Sequence, residues 1–111
     1  MPGTLNLEKS PIVTACARYC AANGVYLAAI CAAPSILGHL GLLEGREAIC
    51  FPGFEGELKG AKLSEKPVCV DGSIITAKGM GVATQFGLTL AGLIAGQDTA
   101  DKIHTSIQSV D

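Results

Sequence analysis

V-Y-L-A-A-I-C-A-A-P-S-I-L-G, the stretch from Val25 to Gly38, is an apolar run that ends on a cysteine and resumes at a proline. A fully apolar run such as Val25 to Ile30 suits a strand buried on both faces, as in a parallel sheet. Pro34 predicts the start of a helix, because the missing proline N–H costs nothing in a first turn. Cys31 therefore falls on a sharp strand-to-helix turn. Its neighbours two residues away are Ala29 and Ala33, and a nucleophile elbow needs small residues there because the chain folds back tightly. Ala29-Ile30-Cys31-Ala32-Ala33 fills that pattern with a thiol in place of a hydroxyl. A helix N-terminus also favours a thiolate through its free N–H groups and its dipole. The alternative is a buried structural cysteine, a common fate of free thiols. The spacing by itself leaves both readings open.

The chain has 111 residues, enough for one small domain. Hydrophobic residues make up 49% and charged residues 16%, below the usual quarter, so an apolar surplus must be buried against protein. No apolar run reaches membrane-spanning length, and the first residues do not read as a signal peptide. A net charge of −2 provides no basic patch, which argues against nucleic acid as a ligand. The five cysteines show no paired Cys-x-x-Cys spacing. They read as reduced thiols of a cytoplasmic protein, not as a disulfide framework or a zinc site, and nothing calls for a metal or cofactor.

Met1 to Glu8 reads as a loop. Ser10-Pro11 predicts an N-cap and first-turn proline, with a helix to about Asn23 and Gly24 as its C-terminal glycine. Val13, Cys16, Ala17 and Cys20 would share its buried face. Pro34 to about Leu43 is expected to be helical and carries His39, either a general base or, more simply, a surface or packing residue. Ala48 to Phe51 is expected as a strand stopped by Pro52-Gly53. Phe54 to Lys62 reads as a loop with Glu55 and Glu57 solvated. Val68 to Val70, Asp71-Gly72 and Ser73 to Ala77 form a hairpin signal with a type I′ turn at Asp-Gly. Gly79-Met80-Gly81 lacks a phosphate-loop pattern and is not read as a nucleotide site. A helix from about Val82 to Ala95 follows, with Val82, Phe86, Leu90 and Leu93 as its apolar stripe. Gly96 ends it, and Asp98 caps a last helix carrying Ile103 and Ile107.

The order of these parts resembles the ThiJ/PfpI family of the class I glutamine amidotransferase-like superfamily. The matching residues are Ala28 to Leu37 (A-A-I-C-A-A-P-S-I-L), Phe51 to Glu55 (F-P-G-F-E), Val70 to Gly79 (V-D-G-S-I-I-T-A-K-G) and the helix from Val82. The resemblance implies an α/β fold, a flavodoxin-like three-layer sandwich with a mostly parallel sheet. Family members carry a Pro-Gly-Gly turn, and Met1-Pro2-Gly3-Thr4 looks like the loop after it. Residues 1–111 would then be the C-terminal portion of a single domain without its N-terminal strands and helices. Two pieces would lie with those N-terminal strands and helices, outside residues 1–111: a glutamate hydrogen-bonded to the nucleophilic thiol and a glycine turn giving one oxyanion-hole N–H.

Residue by residue, Cys31 resembles the family nucleophile and the Ala32 N–H an oxyanion donor. Phe51 and Pro52 resemble pocket residues, Phe51 standing where some relatives have histidine. Protease-like relatives have histidine directly after the cysteine, where this chain has Ala32. His104-Thr105-Ser106 does not supply the His-x-Glu of glutamine amidotransferases. The resemblance is therefore to the deglycase and glyoxalase branch. It implies a cysteine-dependent enzyme acting on reactive dicarbonyls such as methylglyoxal, or on their early glycated adducts. The alternative is a non-enzymatic redox-sensing or chaperone-like stress protein that uses the same cysteine. Implied partners are the small-molecule aldehyde or glycated substrate, and a second copy as homodimer or a complementing N-terminal segment; no nucleic acid or membrane is expected.

Overall fold

The computed structural model describes residues 2–108. Its elements run α1 (Pro2–Lys9), α2 (Pro11–Asn23), β1 (Leu27–Ile30), α3 (Pro34–His39), β2 (Glu47–Ala48), β3 (Lys62–Leu63), β4 (Val68–Asp71), β5 (Ile74–Ala77), α4 (Ala83–Ala95) and α5 (Gln97–Ser106). Short 3₁₀ turns occupy Glu55–Glu57 and Met80–Val82. The main sheet has the order β1-β5-β4, with β1 parallel and β4 antiparallel to β5; β2 and β3 form a separate parallel pair.

Alternation along β5 divides the interior between the two faces of the sheet. Ile74 joins Ala29, Leu37, Leu43, Cys50 and Leu58 in one cluster, covered by α3 and the β2–β3 region. Ile75 and Ala77 join Val68 in the other, covered by Val82, Phe86 and Leu90 at the start of α4. Each fully buried leucine or isoleucine contributes about 1.5–3 kcal/mol of transfer free energy. The three layers of the flavodoxin-like α/β fold are thus helix α3 with the β2–β3 pair, the sheet, and α4 with α5 packed against it.

The Ser10 hydroxyl accepts from the Val13 N–H at 3.3 Å and Gly24 adopts φ 67°, so both ends of α2 are as its sequence predicts. Other expectations are corrected. Residues 2–8, read as a loop, belong to helix α1, while Met1 lies outside the described residues. Pro2 sits at the first helical position, and α1 is held by its end: the Glu8 carboxylate pairs with His39 Nδ1. Strand β1 starts at Leu27 rather than Val25, and it is not buried on both faces. It lies at the edge of its sheet, with Ala28 exposed and Ala29 buried. The predicted buried face of α2 is reduced to Ala17, with Cys16 exposed, because that face opens onto an apolar groove beside β1. The groove holds about 310 Å³ and is lined by Leu7, Ile12, Val13, Leu27, Ala28 and Leu37 among others.

Helix α3 ends at His39, not near Leu43, since Gly41 turns the chain with φ 75°. The segment read as a loop from Phe54 to Lys62 contains a 3₁₀ turn and the first residue of β3. The hairpin is present, but Asp71 pairs with Ile74, so its turn residues are Gly72-Ser73. Only Gly72 of that pair has positive φ (61°), the pattern of a type II′ and not a type I′ turn. Asp71 is kept in the strand by its side chain, which accepts the Glu47 N–H at 2.7 Å. Helix α5 is capped by Gly96, with Asp98 inside its first turn, and Leu93 of the predicted α4 stripe is exposed.

Candidate functional site

The residues between β1 and α3 make the tightest turn near the sheet's C-terminal edge. Cys31 has φ 66°, a left-handed conformation that costs a residue with a Cβ about 1–2 kcal/mol. Three hydrogen bonds hold it there. The Cys31 N–H donates to the Ala77 carbonyl at 2.9 Å, continuing the β1–β5 ladder by one residue. The Cys31 carbonyl accepts from the Phe51 N–H at 2.7 Å, and the Ala33 N–H closes the turn onto the Ile30 carbonyl at 3.2 Å. Ala29 is buried and Ala33 half-buried, as a fold-back this tight requires. Cys31 itself is half-buried and Ala32 is buried behind it. Among the described residues, the Ala32 N–H donates to no other backbone or side-chain acceptor.

Phe51 is brought to the turn by the segment after β2. Backbone N–H groups of Glu47, Ile49 and Phe51 reach, in turn, the Asp71 carboxylate (2.7 Å), the Thr76 hydroxyl (3.0 Å) and the Cys31 carbonyl (2.7 Å). Side-chain oxygens of the hairpin thus replace a strand partner, which is why regular pairing stops at Ala48 instead of running to Phe51. Phe51 and Pro52 line an open pocket of about 250 Å³ with Lys78, Gly79, Met80 and Val82. Its floor is backbone: a Cβ on Gly79 would sit 3.3 Å from the Phe51 ring. Lys78 to Val82 were not among the residues singled out for a pocket. Lys78 and Gly79 close the quoted Val70 to Gly79 match and Val82 heads the predicted stripe, but none of these signals marks a pocket.

The other candidates lie elsewhere. His39, at the far end of α3, pairs through Nδ1 with Glu8 and through Nε2 with Glu57 at 3.2 Å. The Glu8 hydrogen bond raises its pKa above 6.5; burial opposes this and Glu57 adds to it. It is a clamp between three elements, in accord with the packing reading. Glu57 is therefore not merely solvated, while Glu55 accepts the Gly53 N–H at 2.7 Å. Burial pushes the Cys50 thiol up to about 11, with the charges of Glu55 and Cys31 adding to the shift. Among the described residues no group of three histidine, cysteine or carboxylate side chains could hold a metal, and no helix is long and apolar enough to cross a membrane.

Strand, strained cysteine turn, helix and covering hairpin together define an α/β protein with a cysteine on a sharp strand-to-helix turn. The DJ-1/PfpI family model matches residues 1–93. The chain belongs to the DJ-1/PfpI family. It is 38% identical over 86 residues to protein DJ-1 homolog A of Arabidopsis thaliana, covering 75% of this chain and 22% of that protein. It is 30% identical over 109 residues to protein dj-1beta of Drosophila melanogaster, covering 93% of this chain and 58% of that protein. The structure of oxidized Toxoplasma gondii DJ-1 superimposes with a TM-score of 0.93 at 32% identity, over 100% of this chain and 61% of that one. The chain thus spans less than two thirds of the length of these relatives.

Proposed function

We propose that Cys31 is the nucleophile of a DJ-1-like stress-related enzyme that acts on small reactive dicarbonyls such as methylglyoxal, or on their early adducts. The observation that supports this most directly is the strained left-handed turn at Cys31, tied by hydrogen bonds to Ala77 and to Phe51, and Phe51 lines an open pocket. Backbone strain of this kind persists where surrounding structure enforces it, and it concentrates at reacting residues. The Cys31 thiolate adds to the aldehyde carbon and forms a hemithioacetal. The oxyanion is held by the Ala32 N–H, a donor of a type worth about 3 kcal/mol in the transition state. A base moves a proton from the former aldehyde carbon to its neighbour, and water then releases a hydroxy acid and the free thiol.

His39 and Glu55 are the in-chain groups that could stand in as this base, and both are engaged elsewhere. His39 is committed to Glu8 and Glu57 at the opposite end of α3, and Glu55 to the Gly53 N–H. The resemblance assigns the base to a glutamate in the part of the family domain that precedes the matched residues. Turnover is therefore expected from a protein carrying the whole family domain, as a homodimer or with a complementing segment, and little from residues 1–111 alone. Methylglyoxal consumption measured on the whole-domain protein and its Cys31→Ser variant tests the assignment. Loss of consumption is expected; unchanged consumption removes Cys31 from the chemistry.

A further inference from the structure

Four of the five thiols play no part in the proposed chemistry, and one of them is positioned to act on the fifth. Cys50 is 1% exposed, in the same cluster as Ala29 and Ile74 under the elbow. The hydrogen bond from the Phe51 N–H to the Cys31 carbonyl fixes its place relative to Cys31. The path from one Cα to the other runs through that single 2.7 Å contact and standard peptide geometry. Even fully collinear, it gives a ceiling of roughly 7.5 Å. The carbonyl and the amide both bend this path, which shortens it toward the span of about 4.4–6.8 Å that disulfides occupy. The same two segments are also tied to adjacent residues of β5, Cys31 to Ala77 and Ile49 to Thr76. Cys69 lies across β5 on β4, and Cys16 and Cys20 lie on α2.

We propose that Cys50 is the resolving thiol of Cys31, so that the site closes reversibly to an intrachain disulfide. The half-buried Cys31 meets the oxidant first, because Cys50 is shielded. A hydroperoxide transfers one oxygen to the Cys31 thiolate, giving a sulfenic acid and water or an alcohol. The Cys50 sulfur then attacks the Cys31 sulfur, the S–S bond forms, and the sulfenic oxygen leaves as water. In sum, two thiols lose two electrons and two protons to one peroxide. A dithiol reductant reverses the step, and closure keeps Cys31 from the irreversible sulfinic stage. Burial, with the Glu55 charge adding to it, keeps the Cys50 thiol protonated near neutrality, so closure is faster at alkaline pH than at pH 7.

The step rests on Cys31 being the reactive thiol, but not on aldehyde chemistry. The test treats the 111-residue chain with stoichiometric hydrogen peroxide, blocks remaining thiols with N-ethylmaleimide and maps peptides by mass spectrometry. A Cys31–Cys50 linked pair that disappears on dithiothreitol treatment is expected, with a formation rate higher at alkaline pH than at pH 7. Sulfinic Cys31 beside a free Cys50, a Cys31 disulfide to Cys16, Cys20 or Cys69, or a rate flat in pH overturns the proposal while leaving the nucleophile assignment standing. A Cys31 that neither oxidises nor alkylates removes both. In Cys50→Ala, sulfinic Cys31 should accumulate several-fold more at the same peroxide dose, and an unchanged yield counts against the proposal. The wild-type mapping does not depend on that variant folding.

Discussion

Replacing Cys31 by glycine and by alanine separates backbone strain from side-chain chemistry, because both remove the thiol. At φ 66° any residue with a Cβ stays strained by about 1–2 kcal/mol, whereas glycine adopts that region freely. Glycine in turn loses about 0.5–1 kcal/mol through the greater freedom of its unfolded chain. The difference leaves Cys31→Gly more stable than Cys31→Ala by about 0.5–1 kcal/mol. In a domain of this size that is about 2–4 °C in midpoint temperature. At an ordinary β or helical position the order is reversed, with glycine about 0.5–1 kcal/mol the weaker. The two cases therefore differ in sign as well as size. Urea unfolding of the two variants side by side measures it, with a common slope required for the comparison. A Cys31→Gly protein less stable than Cys31→Ala would show that the turn is not strained, and the structural support for the elbow would fall.

Gly38→Ala should destabilise the chain by about 2 kcal/mol despite alanine's better helix propensity, since overpacking typically costs about 1–3 kcal/mol. Its Cβ would be driven into the Glu57 carbonyl oxygen and stand 2.9 Å from the Leu58 Cα, both of them backbone; a thermal midpoint equal to wild type contradicts this. The His39 clamp predicts a pH dependence of definite sign. The Glu8 hydrogen bond raises the folded-state pKa above the unfolded 6.5, so the stabilisation is complete below that value and is lost as pH rises through the folded pKa. Both pairs are partly exposed, so each is worth about 0.2–1 kcal/mol, and His39→Gln should flatten midpoint temperature against pH above about 6. An identical slope in the variant contradicts it.

The elbow was legible because it depends on local rules. Ala29 and Ala33 permit the fold-back, Pro34 starts the next helix, and a strand-length apolar run precedes them. The caps of α2 and the hairpin were readable for the same reason. What was misread depends on contacts between distant segments. Pro2-Gly3 looks like a turn, yet α1 forms because its last turn is held by His39, 31 residues away. Asp71-Gly72 looks like the turn itself, but Asp71 is held in its strand by the backbone of Glu47. The two-residue strand β3 carries too little periodicity to be seen at all, and β2, expected over Ala48 to Phe51, overlaps that span only at Ala48.

The segment from Glu47 to Phe51 shows why the cysteine proposed to pair with Cys31 could not be found by spacing. Its three inward N–H groups are met by a carboxylate, a hydroxyl and a carbonyl from three different parts of the chain. No sequence period records that set. Yet those bonds alone decide which residues stand against the elbow: Phe51 over the pocket, and Cys50 in the core beneath it. Thr76 is central to this, being 1% exposed with its hydroxyl accepting the Ile49 N–H. A valine there would keep the packing and leave a backbone donor unmet. The reactivity proposed for Cys31 and its proposed pairing with Cys50 therefore depend on the hairpin as much as on the turn that carries the thiol.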